Sequence, residues 1–422
     1  MVMVIIQNFI HIERTDNMYF KKTFIALTII LGLLITISTA KADGIDVNRA
    51  TGQCYAHNSL SSIKLIDYDK IWLDPTLDYK YSLDKDTEGV NQDSVWLETV
   101  WKFHDIYRQS IERCAKGETD ICKKIVEHTE YLASGDKMLK NKYWNKDGHD
   151  FYESTIFNNH SISHILMAYG VAIQKVDVDA DTHQMIGESF KKAVKSNKRT
   201  YCGSCKTKIN NHHLASARAF ALYGTIFDDD KAVATARSLL NKYYKVMSKE
   251  GALRVEAIRG EMALAYTGKS ITAVISILNI LEDGGEQAWS QTELDWVAKA
   301  VDFYIDASND HMKIYKWAKQ KKHNKNGNPK YQKMTHNQQG WVRPFIQRYQ
   351  DSHPELVAKI FEQKDVRRYL QKDARKTGDQ WSAIDSKCFF KIVDITKDWN
   401  KNKAKVDATI PVKTKWGTTH IY

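Results

Sequence analysis

Apolar residues recur at the i, i+3, i+4, i+7 spacing along most of this chain, and few residues interrupt them. The stripe is read over 95–113, 181–197, 229–247, 254–266, 270–282, 290–306 and 353–363. These are helical lengths joined by short polar connections. Only 5 prolines and 20 glycines are spread through 422 residues, too few for a turn-dense β-sandwich. Apolar residues make up 43%, which excludes a disordered chain. The expected class is all-α. An internal echo suggests how the helices are arranged. Asn158-Asn159-His160 runs into HILMAYG, Asn210-Asn211-His212 runs into ASARAFALYG, and a third run reads MALAYTG. The glycines that end them, at 170, 224 and 268, are spaced by about one helical hairpin. Hairpins repeated in this way predict a curved or closed array.

The N-terminus carries a different signal. From Met18 the chain reads MYFKKTFIALTIILGLLITISTAKADG, with basic Lys21 and Lys22, an apolar run from Phe24 to Ile37, and Ala40-Lys41-Ala42 before Asp43. That order is a secretory signal peptide. Translation is expected to start at Met18 and cleavage to follow Ala42, which leaves 43–422 as one domain, periplasmic or secreted. The apolar run is short for a membrane span, and no later run is expected to make one. Residues 386–422, with ATIPVKTKW, are expected to be irregular or short-stranded. Six cysteines stand at 54, 114, 122, 202, 205 and 388. In an exported chain they point to disulfides, though connectivity stays open. Cys114–Cys122 and Cys202–Cys205 are local candidates, and Cys54–Cys388 would then join the two ends.

Charge narrows the partner. The formal net charge is +11, and removing the leader's four basic and two acidic residues leaves +9. Two runs hold basic residues and no acid. One is Lys191, Lys192, Lys195, Lys198, Arg199, Lys206 and Lys208. The other spans 311–350, with Lys313, Lys316, Arg343 and Arg348 among its members and Tyr315, Trp317, Tyr331, Trp341 and Phe345 interleaved. Such runs are either solvated faces or a groove for a polyanion. For an exported chain the expected polyanion is an acidic polysaccharide, not a nucleic acid. A monomer is expected, with no resident metal or cofactor.

Two motifs carry chemistry. Asn210-Asn211-His212-His213 opens a helix, where amide side chains suit the unpaired N–H groups. Arg259 and Tyr266 are seven residues apart, which on a continuous helix places both on one face. His160 and His164, one turn apart, or His212 and His213 could ligate zinc, but no nearby glutamate completes a metalloprotease pattern.

NNHHLASARAFALYG followed by KEGALRVEAIRGEMALAY resembles the family 5 polysaccharide lyases, the alginate (mannuronate) lyases. The resemblance implies an incomplete α/α toroid built from helical hairpins. It also implies that Asn211, His212, Arg259 and Tyr266 are catalytic. Lys80 and Tyr81 are similar to the family's lid segment, although the lid's usual Glu-Gly after the tyrosine is absent. Gly340-Trp341-Val342-Arg343 resembles a late segment near the cleft. Lys80, Tyr81, Trp341, Arg343 and His213 are therefore expected to bind substrate.

The implied reaction is β-elimination on a 1,4-linked uronic acid polymer. Abstraction of the C5 proton builds charge beside the C6 carboxylate, and a cation with hydrogen-bond donors offsets it. Arg259 and Asn211 suit that task. Tyr266 and His212 suit proton transfer at C5 and O4. A phenol is a weak base, so a nearby cation is required, and Arg259 could serve. Hydrolysis would need two facing carboxylates. Glu256 and Glu261, five residues apart, do not share a helical face. Polymannuronate is the expected substrate. Polyglucuronate, another acidic exopolysaccharide, or a non-catalytic role in polysaccharide binding or export are the alternatives.

Overall fold

The computed structural model describes residues 95–135, 151–197, 209–318 and 339–364, residues 366, 370 and 382, and strands at 411–414 and 417–420. The signal peptide, Lys80, Tyr81, and Cys54, Cys202, Cys205 and Cys388 lie outside the described residues, as do parts of both basic runs.

The described residues are almost wholly helical. In chain order the helices are α1 (Val95–Ala115), α2 (Thr119–Ala133), α3 (Phe151–Ala172), α4 (Ala180–Asn197), α5 (Asn211–Ile226) and α6 (Asp230–Tyr244). A single turn, α7 (Arg254–Ala257), precedes a 3-10 turn at Gly260–Met262. Then come α8 (Ala263–Asp283), α9 (Gln291–Asn309), α10 (His311–Ala318), α11 (Val342–Tyr349) and α12 (Pro354–Phe361). Strands β1 (Pro411–Thr414) and β2 (Gly417–His420) pair antiparallel, Val412 opposite Thr419. This hairpin falls in the segment expected to be short-stranded.

Two kinds of helix build the body. The helices α1, α3, α5, α8 and α9 pack one against the next as an inner series. On their outer side α2 and α4 pack against α3, and α4 and α6 against α5. Burial follows this division. In α5 every residue but His213 is buried, and α8 is buried along most of its length. In α6 only Ala232, Ala236, Leu239, Leu240 and Tyr243 are buried, one face of an amphipathic helix. Helix α8 is long and apolar enough to cross a membrane by composition, contrary to the expectation that no later run would be. It lies 89% buried inside the body, where it serves as a core helix.

Local contacts fix these neighbours. Asp229 caps α6 by accepting from the Ala232 N–H at 2.9 Å and takes Lys191 of α4 at 3.1 Å. At Gly224 the backbone of α5 nearly touches α6: a Cβ there would lie 2.7 Å from Val233 Cγ2 and 2.8 Å from the Val233 amide nitrogen. Cys114 and Cys122 form a disulfide across the α1–α2 turn, one of the expected local pairs. Lys359 of α12, itself buried, pairs with Asp302 and Asp306 of α9, and Asp306 also takes Lys313 at 2.6 Å.

The echoed runs mark the inner helices, but not their ends. Asn158-Asn159-His160 lies inside α3, and Gly268 lies near the start of α8. The stripe at 270–282 belongs to one longer helix beginning at Ala263. The stripe at 254–266 is broken, because Gly260 takes φ +63° and the chain turns there.

Candidate functional site

The site assembles around the N-terminus of α5. Asn210 is extended (φ −141°, ψ −172°) and its side chain accepts from the His212 N–H at 3.1 Å. In return the Asn210 N–H donates to His213 Nδ1 at 3.2 Å, which completes a capping box. His213, expected as a substrate contact, thus has one ring nitrogen turned back on the helix start. The next free amide is that of Asn211. It donates to Glu256 Oε1 at 2.7 Å, across 45 residues of chain. The Asn211 side chain is buried, and its Oδ1 has no hydrogen-bond partner among the described residues.

Arg259 and Tyr266 meet, but not by the expected route. They do not share a continuous helical face. Arg259 sits at the break between α7 and the 3-10 turn, and Tyr266 is in the first turn of α8. The turn at Gly260 folds the arginine back over the helix that follows. Its guanidinium lies over the Tyr266 ring, 4.0 Å from the centroid, a cation–π contact. Lys269, one turn on, places its Nζ 4.9 Å from the same centroid.

Electrostatics couple these segments. Burial, then the positive charges of Arg259 and His213, hold His212 down at about 3. The ring is therefore neutral at neutral pH and carries a lone pair, as a proton acceptor must. Glu256 is fully buried, which pushes its carboxyl up to about 7 against the opposing pull of Arg259 and the Asn211 N–H. Tyr243 of α6 donates to the same Oε1 at 3.5 Å. Asn211, His212, Arg259 and Tyr266 are thus brought together by two junctions, the Asn211–Glu256 bond and the Arg259–Tyr266 stack.

Beneath His212 lies a buried cluster of His104, His160, His164 and Arg218. Arg218 Nη2 donates to His160 Nδ1 at 2.9 Å, so that nitrogen carries a lone pair. His164 Nδ1 donates to the His160 carbonyl at 2.7 Å, and His104 stacks on His164 with centroids 4.2 Å apart. Burial, with Arg218 next or nearly so, holds all three rings far below their usual value, His104 at about 3. In the pair weighed for zinc, Arg218 faces the Nδ1 of His160, and His164 spends its N–H on the backbone.

Two expected substrate contacts are placed in the core instead. Trp341 is 0% exposed and packs edge-on against Tyr304 and Phe345. Arg343, 4% exposed, donates to the Leu370 carbonyl at 3.2 Å. Four described cations of the basic runs are drawn into ion pairs, Lys191 with Asp229, Lys313 with Asp306, Lys316 with Glu250 and Arg348 with Glu282, while Lys192 and Lys195 are exposed. A run of lysines without local acids reads as an open basic face, but the fold supplies acids from distant helices. Conversely, the motifs do not single out Lys269, and they bring in Glu256 only as half of a hydrolytic carboxylate pair that is set aside. Lys269 was detectable, being three residues beyond Tyr266, whereas Glu256 becomes visible only once α5 and α7 are side by side.

Comparison with known proteins bears on this arrangement. Residues 137–314 match the family described as alginate lyase. The alginate lyase A1-III from Sphingomonas species A1 superposes with a TM-score of 0.53 at 15% identity, covering 67% of this chain and 75% of that one. The ligand-free form of a histidine-to-alanine variant of alginate lyase A1-III gives 0.55 at 16% identity, over 84% and 97% of the two chains. The same variant complexed with a tetrasaccharide gives 0.51 at 16%, over 65% and 74%. No curated protein sequence matches the chain. The fold is the all-α, α/α-toroid type expected from the motifs, and the resemblance to the family 5 polysaccharide lyases holds.

Proposed function

We propose, from a chain whose residues 137–314 carry the alginate lyase family pattern, that this protein is a polysaccharide lyase acting on alginate. The finer reading is β-elimination at 1,4-linked mannuronate. The observation that carries it is the Arg259 guanidinium stacked on the Tyr266 ring, in the same cluster as Asn211 and a neutral His212.

Arg259 and the Asn211 amide would meet the C6 carboxylate and offset the charge that grows as the C5 proton leaves. The Tyr266 phenol would move a proton between C5 and the departing O4. One group can do both when proton and leaving group share a face of the ring, as in mannuronate. His212, held neutral by burial, would accept a proton where the two lie on opposite faces. The chain's own acid–base and charge-offsetting groups account for every step. The product carries a C4–C5 double bond and absorbs in the ultraviolet.

The test is absorbance near 235 nm on polymannuronate, polyguluronate and polyglucuronate. Polymannuronate should give the fastest rise, and Tyr266→Phe should lower the rate by about 10²–10⁴-fold. A faster rise on polyglucuronate would reassign the substrate. No rise on any polymer, with polymer binding kept by Tyr266→Phe, would favour a binding or export protein instead. Export after cleavage at Ala42 is part of this proposal. The N-terminus of the exported protein should begin at Asp43, and an intact leader would contradict it.

A further inference from the structure

We propose that Glu256 is a positioning residue for this reaction, a buried carboxylate that locks the Asn211 end of α5 to the turn bearing Arg259. The proposal rests on the lyase reading above and goes beyond its four groups. Glu256 occupies the single turn α7, three residues before Arg259, and is fully buried. Its Oε1 takes the Asn211 N–H at 2.7 Å and the Tyr243 hydroxyl at 3.5 Å. Its Oε2 is buried without a hydrogen-bond partner among the described residues.

A carboxyl in this place is costly. Removing a charge from water costs several kcal/mol unless partners compensate. A helix amide at the first position needs no carboxylate, since a neutral acceptor would satisfy it. What a neutral acceptor cannot supply is a negative charge beside the Arg259 guanidinium. The groups facing Glu256 come from several elements: Arg259 from its own segment, the Asn211 amide from α5, Tyr243 from α6 and Ser270 from α8. Of these only Arg259 carries a charge at neutral pH. The carboxylate therefore has two outputs. It fixes where Asn211 and His212 begin, and it restrains a guanidinium that must sit both over Tyr266 and beside a substrate carboxylate. Misplacing either by about 1 Å is enough to cost up to about 10²-fold in rate.

The bland alternative is that Glu256 only caps α5. Glu256→Gln separates the two readings, because its amide oxygen still accepts from Asn211 and Tyr243 while the charge is gone. The expected result is a folded protein with kcat lowered about 10–100-fold and KM changed far less. Glu256→Asp, which keeps the charge, should recover part of that loss. Wild-type kcat should rise as the pH passes upward through the Glu256 ionisation, and Glu256→Gln should be low and flat over the same range. Wild-type kcat and pH profile in Glu256→Gln would overturn the proposal. So would a loss of rate that merely tracks the loss of folded protein by circular dichroism. Absence of cleavage by the wild-type protein on every polymer would instead sink the lyase reading, and this inference with it.

Discussion

Acid should unfold this protein through its buried histidines. His104, His160, His164 and His212 are all held below the ordinary value of 6.5, with burial the largest cause in each. The native rings resist protonation while the unfolded rings accept it. Unfolding therefore takes up protons as the pH falls below about 6.5, and stability drains away from there, the native values of His104 and His212 lying at about 3 and those of His160 and His164 well below the ordinary one. At pH 5 each such ring costs about 2 kcal/mol, so four cost about 8 kcal/mol. Glu256 acts in the opposite sense. Its native value is raised from 4.5 to about 7, so the stability it contributes is full below 4.5 and is lost as pH rises through 7. Between pH 7.5 and 5 it returns about 2 kcal/mol, leaving a net loss of about 6 kcal/mol. That is comparable with the whole stability of a typical domain, about 5–15 kcal/mol. Urea unfolding followed by far-ultraviolet circular dichroism at pH 7.5 and pH 5 measures this directly. His164→Gln removes one of the four rings and should shrink the loss by about 2 kcal/mol. Equal stability at the two pH values would show that these rings are not the acid-sensitive element.

Two packing predictions test the body independently of the site. Gly224→Ala places a Cβ against the Val233 amide nitrogen, a backbone atom that cannot step aside, and should cost about 1–3 kcal/mol in a thermal melt. An unchanged melting temperature would mean that α5 and α6 can separate freely. Lys359→Met leaves Asp306 buried with one fewer cation and should destabilise by about 3 kcal/mol in urea. A gain in stability would show that the ion-pair cluster joining α9, α10 and α12 is worth less than apolar packing.

Much of this architecture was legible before folding, and the exceptions share a cause. An amphipathic stripe reports burial on one side. Helices such as α4 and α6, which have one face outward, lie close to the limits that their stripes predict. Helix α5, but for His213, and α3 from Asn159 onward are buried all round and show no stripe, so only the Asn-Asn-His echo points to them. The cluster of Asn211, His212, Arg259 and Tyr266 was found by motif, but the reason for the Arg259–Tyr266 contact was misread. A stripe over 254–266 cannot reveal that Gly260 leaves the helical region. The resemblance of 340–343 to a segment near the cleft implies substrate contacts for Trp341 and Arg343, but an aromatic beside an arginine looks the same in sequence whether exposed or buried, and both are buried.

The residues alone therefore determined the helical class, the outward-facing helices and the Asn-His and Arg-Tyr motifs that meet in the fold. Those properties depend on neighbours within a turn or two of chain. The tertiary structure decided which helices lie inside, which lysines are neutralised and how Glu256 reaches Asn211. Those depend on atoms of different helices, 45 residues apart for Asn211 and Glu256, whose approach is set by the packing of whole helices and leaves no periodic trace in any one of them.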